Sequence, residues 1–196
     1  MSVNPLSVSG RRQPHRGWGI IENGALAVLA IIVIVYVVSK LWGIWTQKDV
    51  AMETTNYQSI ITYVRGNFKG QSGYNFSSAS SMTGTVIAAG GAKGMTIQGD
   101  ASSGTATMFN AFGGQVILTP VASNGFNNGF SLSSAKIPQE ACISIAQQMA
   151  NGAYASVSIN SSAHTDNSLT AETAAKECIK DSSGTGQNTL LFTVNG

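Results

Sequence analysis

The chain has 196 residues, a formal charge of +2, only 10% charged residues and 22 glycines. That length suits one modest globular domain plus an anchor. Sparse charge with abundant Ser, Thr, Asn and Gly is unlike a cytosolic enzyme and typical of an extracellular β-rich protein. Arg11, Arg12 and Arg16 precede residue 18, so residues 18–196 carry 8 basic against 9 acidic residues, which gives little support to a nucleic-acid-binding face.

Residues Met1 to Gly17 form a polar, basic leader with Pro5 and Pro14, too polar for the apolar core of a secretory signal. Its arginines should hold it on the cytoplasmic side, with the downstream end facing out. Next stands Arg16-Gly17-Trp18-Gly19-Ile20-Ile21-Glu22, and from Asn23 to Ser39 no charge interrupts an apolar run. With Leu41, Trp42, Ile44 and Trp45 this makes about 20 residues able to span a bilayer. Lys40 can snorkel, and Trp42 and Trp45 suit the outer interface. The many β-branched residues would suit a strand in water, but lipid requires every backbone group to be satisfied internally, which favours a helix. Glu22 is the odd residue, because a charge inside a bilayer costs roughly 2.5–3.5 kcal/mol. On helix physics alone it equally fits the watery N-terminal end of a signal anchor.

A basic segment ending in Gly17, with Glu22 at the edge of the apolar helix, resembles the processing site of type IV prepilins. The resemblance implies a prepilin peptidase that cuts between Gly17 and Trp18, leaving the hydrophobic segment on the mature protein. Trp18 as the new first residue, where many members have Phe, points to the type IVb subgroup. In the family, the carboxylate matching Glu22 pairs with the freed amine of a neighbouring subunit, here that of Trp18. Such a pair adds little net stability but penalises wrong registers.

The helix is expected to continue past the apolar run, since no proline occurs between Pro14 and Pro120. Met52, Ile60, Ile61, Val64 and Phe68, with Tyr57 between, recur at helical spacing, and Lys48, Asp49, Glu53 and Arg65 fall largely between them. This predicts one helix over 18–68, roughly 75 Å long. Its membrane and assembly half would be 18–45, and its amphipathic half, 46–68, would pack on a head.

From 69 to 196 the composition is that of a β-rich head. Gly70 to Gly84 reads as a Gly/Ser/Asn-rich connection. Strands are predicted at 85–88, 95–97, 105–109, 115–121, 129–132, 155–159 and 189–194, with turns at Gly90-Gly91, Gly113-Gly114 and Asn127-Asn128-Gly129. Helices are predicted over 137–151, with Pro138 at its first position, and over 170–180, with Glu172 and Lys180 favouring the dipole. The fold class is therefore α+β, a long N-terminal helix on an antiparallel sheet. Two cysteines in a chain that leaves the cytosol suggest one disulfide, Cys142–Cys178, and the resemblance agrees by placing a disulfide-bounded region at 142–178. The stretches Asn110-Ala111-Phe112-Gly113-Gly114 and Ile137-Pro138-Gln139-Glu140-Ala141-Cys142 further resemble major type IVb pilins, those of conjugative-plasmid thin pili among them.

No active site is legible. Beyond the leader the only histidine is His164, in a polar stretch that reads as an exposed loop. Gly90-Gly91-Ala92-Lys93-Gly94 lacks the spacing of a phosphate-binding loop, and two cysteines with one histidine make a poor zinc set. No catalytic residue, metal or cofactor is expected. The resemblance implies a major type IVb pilus subunit, a homo-oligomer handled by prepilin peptidase and inner-membrane assembly machinery. It would be held in membrane lipid first and then in an extracellular pilus for conjugation or adhesion. The alternatives are a minor pilin or pseudopilin at a fibre tip or in a secretion system, a membrane-anchored enzyme, and an unrelated single-pass anchor.

Overall fold

The computed structural model describes residues 18–123, 125–165 and 168–195, with the side chains of 18–23, 39–46 and 123 outside the described set. The chain divides into two compact units, Met1–Ile44 and Trp45–Gly196. Helix α1, Trp18–Asn67, supplies the described part of the first unit and opens the second.

The second unit is an antiparallel sheet of seven strands with helices against it. Its elements after α1 are α2 (Ala79–Ala88), β1 (Thr96–Gln98), β2 (Thr107–Phe109), β3 (Gln115–Ser123), β4 (Phe126–Ile137), α3 (Gln139–Ala150), β5 (Ser156–Ile159), β6 (Ser162–His164), α4 (Ala171–Glu177) and β7 (Asn188–Asn195). The strands lie in the order β1-β2-β3-β4-β7-β5-β6, so the C-terminal strand sits between β4 and β5 and locks the sheet together. Burial along β7 alternates strictly, with Asn188, Leu190, Phe192 and Val194 inward, as a half-covered antiparallel strand requires. Direct pairing carries that face across the sheet: Phe192 lies opposite Leu132 and Val157, Leu190 opposite Ser134 and Ile159, and Leu118 opposite Leu132.

On this face α1 contributes Tyr57, Ile60, Ile61 and Val64, all buried. The Tyr57 ring lies 6.0 Å from that of Phe192, which also meets Tyr154 at 5.9 Å. Burying a large apolar side chain of this kind stabilises by about 1.5–3 kcal/mol relative to leaving it in water. From α2, Thr83 Oγ1 accepts from the Leu118 amide at 2.9 Å and donates back to the Leu118 carbonyl at 3.3 Å. From α3, Ile145 and Met149 complete the core.

Several local expectations are corrected. Thr85-Val86-Ile87-Ala88 is the end of helix α2, not a strand. Ser78 caps that helix by accepting from the Ser81 amide at 3.1 Å, and Met82 with Val86 forms its buried i,i+4 pair. Asn127-Asn128-Gly129 lies inside β4, with the turn placed earlier, at Gly125. Strand β6 was not expected. Pro138 is the N-cap of α3 rather than its first residue, and the Asp181 carboxylate accepts from the Gln139 amide at 2.8 Å. Lys180 lies beyond α4, whose last turn carries Lys176. Met52 is exposed and Glu53 is buried, so the apolar stripe of α1 departs from its expected line at that turn alone, while Tyr57, Ile60, Ile61 and Val64 are buried as expected.

Candidate functional site

Three regions carry features that packing alone does not explain. The first is the N-terminal part of α1. Every described side chain from Leu26 to Val38 is exposed, the large apolar ones between 46% and 62%. Residues 31–38 are consecutive, so they cover the whole helix circumference rather than one stripe. Apolar surface of this extent marks contact with other apolar material, either a bilayer or further protein. Trp18 is the first residue of α1 and Glu22 lies in its second turn, but both side chains fall outside the described residues. So do the leader 1–17 and the expected cut after Gly17. Among the described residues no helix is long and apolar enough to cross a membrane. Described side chains in the apolar run stop at Val38, and the expected remainder of the span, 39–45, lies outside them.

The second region is a buried polar network between α1 and the β2–β3 loop. Glu53, 1% exposed, accepts from the Ala111 amide at 2.7 Å through Oε1, while Oε2 has no partner among the described residues. Burial pushes the Glu53 carboxyl above the ordinary carboxylate range, against the opposing pull of the Ala111 amide. One turn on, the Tyr57 hydroxyl shares a 2.7 Å hydrogen bond with Ser134, and burial raises the phenol's pKa strongly. Asn110 closes the network. Its Nδ2 donates to Ser134 Oγ and to the Ala135 carbonyl, both at 2.8 Å, and its Oδ1 accepts from the Phe112 and Gly114 amides at 3.0 and 2.7 Å. A Cβ on Gly114 would stand 1.7 Å from the Ala135 carbonyl oxygen, so only glycine lets this loop close on β4. The network fixes α1 against the sheet by geometry, since buried polar groups tolerate few alternative pairings.

The third region is the C-terminal one. Cys142 on α3 and Cys178 at the end of α4 form a disulfide with a Cα separation of 6.0 Å. Fully buried Asn188 fastens the same segment. Its Nδ2 donates to the Ile137 and Ile179 carbonyls at 3.1 and 2.9 Å, and its Oδ1 accepts from the Ile179 amide at 2.7 Å. His164 is not in an exposed loop: it stands on β6, its ring Nε2 2.7 Å from Glu177. His164 and Ser168 do line a common void, but at about 10 Å³ it has room for one water at most and for no substrate. Among the described residues no group of three His, Cys, Asp or Glu side chains is placed to hold a metal.

Glu53, Asn188 and the His164–Glu177 pair were not singled out by sequence. Glu53 sits one position from an expected apolar residue, which was the one available hint.

Comparison with known proteins identifies the architecture. The family described as PilS N terminal matches residues 47–195. The crystal structure of a type IVb pilin from Salmonella typhi is similar at 47% identity and a TM-score of 0.67, over 74% of this chain and 99% of that one. An NMR structure of the type IVb pilin PilS from Salmonella typhi is similar at 44% identity and a TM-score of 0.54, over 76% and 97%. No curated protein sequence matches. The α+β head is thus a type IV pilin fold, and the chain belongs to the PilS family of type IVb pilins.

Proposed function

We propose that this chain is the major structural subunit of a type IVb pilus. In this reading residues 1–17 are a leader removed by a prepilin peptidase through hydrolysis of the Gly17–Trp18 amide. The helix then holds the subunit in the inner membrane through 18–45. The head, residues 69–196 with the amphipathic part of α1, waits outside for the assembly machinery. Polymerisation moves the apolar helix from lipid to a core of identical helices, and the fibre serves conjugation or adhesion at the cell surface.

The observation that carries the reading is the exposed apolar circumference of α1 from Leu26 to Val38. It provides no stripe that a single partner could cover, whereas a bundle of copies or a bilayer surrounds a helix on all sides. Inside such a bundle Glu22 stands among apolar side chains, where an unpaired charge is heavily penalised. The amine freed on Trp18 of a neighbouring copy is the partner this reading gives it, so Glu22 sets the axial stagger while the apolar helix supplies most of the association.

Replacing Glu22 by Ala should leave cleavage intact and abolish or sharply reduce surface fibres. Normal cleavage with abundant fibres would contradict the role given to Glu22. A bulky residue at Gly17 should leave the precursor uncut and membrane-bound. Abundance of the chain in sheared fibres separates a major subunit from a minor one.

A further inference from the structure

We propose that the end of the head at the C-terminus of α1 carries a binding site for a saccharide bearing a carboxylate. The site is an open cleft of about 360 Å³ between the Gly70–Gly73 connection and the tip of the β3–β4 hairpin, lined by Lys69, Gln71, Ser72, Phe126 and Asn128. A second cleft of about 340 Å³ shares Lys69, Gly70 and Gly73 as a common wall and adds Asn67 and Asn75. Phe68, Phe76 and Thr85 also line the second cleft, so amide groups and aromatic rings stand together around the shared wall.

Four observations select the ligand class. Phe126 is 63% exposed, so a large aromatic face is offered to solvent beside amide and hydroxyl groups. A sugar ring has the matching surface, with an apolar C–H face for the aromatic ring and hydroxyl edges for Asn, Gln and Ser. Among the described residues Lys69 is the sole charged side chain lining either cleft, and the described ion pairs, His164–Glu177 and Lys176–Glu172, leave it unpaired. The end of α1 adds about half a negative charge, which the full charge of the lysine outweighs, so the cleft attracts an anion. One lysine is too little for nucleic acid. The sheet edges are β1 and β6, so the β3–β4 tip offers no edge to which a peptide could add a strand.

The walls are also held before any ligand arrives. Gly70 and Gly73 exchange backbone hydrogen bonds of 3.0 and 3.1 Å, and the Tyr74 amide donates to the Asn127 carbonyl at 2.8 Å. Gly73 has φ +83°, and a Cβ there would stand 2.2 Å from that carbonyl oxygen, so glycine alone lets the two walls meet. A cleft held this way loses little ordering entropy on binding.

The test uses the full chain dispersed in detergent, with tetragalacturonate, neutral maltotetraose and tetraglutamate as probes. Calorimetry gives affinity, and amide resonances of Gly70, Gln71, Phe126 and Asn128 locate the contact. Saturable binding of tetragalacturonate at these residues is expected, with weaker binding of maltotetraose. Phe126→Ala should weaken it about fivefold. Lys69→Gln should level the acidic and neutral sugars. Both side chains are exposed, so unchanged thermal melting of the variants separates lost binding from lost fold. No saturable binding at millimolar sugar overturns the proposal, as does full affinity in Phe126→Ala. Tighter binding of tetraglutamate than of either sugar would make this a peptide site instead. These outcomes concern the head alone and do not depend on fibre assembly.

Discussion

Residues 24–38 and 47–67 belong to one helix, yet they meet opposite conditions. In the later stretch Tyr57, Ile60, Ile61 and Val64 are fully or almost fully buried, while Thr55, Gln58, Ser59 and Thr62 face outward. In the earlier stretch apolar residues point in every direction and none is buried. The later stretch is a component of the head, covered by the chain's own sheet, and contributes to folding. None of the described side chains of the earlier stretch is buried, and in the function proposed above that stretch serves assembly. Folding of the head and use of the apolar run should therefore separate cleanly under mutation.

The largest expected effect tests that separation. Val33→Asp places a charge in the apolar run at a cost of roughly 2.5–3.5 kcal/mol in a bilayer. Fibres should disappear from the surface, while the urea midpoint of the head stays where it was. A shift of that midpoint would show the two regions to be coupled. The converse comes from the double variant Cys142→Ser with Cys178→Ser. The bond closes a sequence separation of 36 residues. Its loss should cost the head about 4 kcal/mol in the chain-entropy model, read by urea denaturation. Membrane retention should be unaffected.

Smaller effects sharpen the account of how α1 is seated. Tyr57→Phe removes the 2.7 Å bond to Ser134 and should cost about 1 kcal/mol, because Asn110 still serves Ser134. Glu53 gives a pH signature. Its folded-state pKa is raised by burial, so the folded head holds that proton more tightly than the unfolded chain does. The contribution is fully present below the ordinary carboxylate range and is lost as pH rises through the raised value. Glu53→Gln should therefore stabilise the head more at pH 7 than at pH 4, and an equal change at both values would contradict the buried, unpartnered Oε2. Least of all, Glu172→Ala breaks an exposed i,i+4 pair with Lys176 and should cost about 0.3–0.5 kcal/mol in thermal melting.

The parts of the fold legible in sequence are those with a long or strict pattern. The uninterrupted apolar run, the β-rich stretch from Thr189 to Val194 and the i,i+3,i+7 spacing of Cys142, Ile145 and Met149 fall in the helix, the strand and the helix expected of them. Short elements were misread where side-chain type and context disagree. Val86 and Ile87 suggest a strand, but the cap at Ser78 and burial of Met82 against the sheet make a helix. Asn127 and Asn128 resemble a turn, yet pairing with β3 and β7 holds that end of β4 extended. Glu53 looked like a solvated charge because its partner, the Ala111 amide, is 58 residues away and only the folded sheet delivers it. For the same reason His164 could not be matched with Glu177 before β6 and α4 were placed. Tertiary partners of polar residues leave no periodic trace in the chain.

The most direct measurement on the central claim is intact mass with N-terminal sequencing of fibres sheared from the cell surface. The expected material begins at Trp18, contains this chain as its main component and carries the Cys142–Cys178 bond. Assembled fibres whose subunits still begin at Met1, or a working form that is a monodisperse soluble monomer, would contradict it.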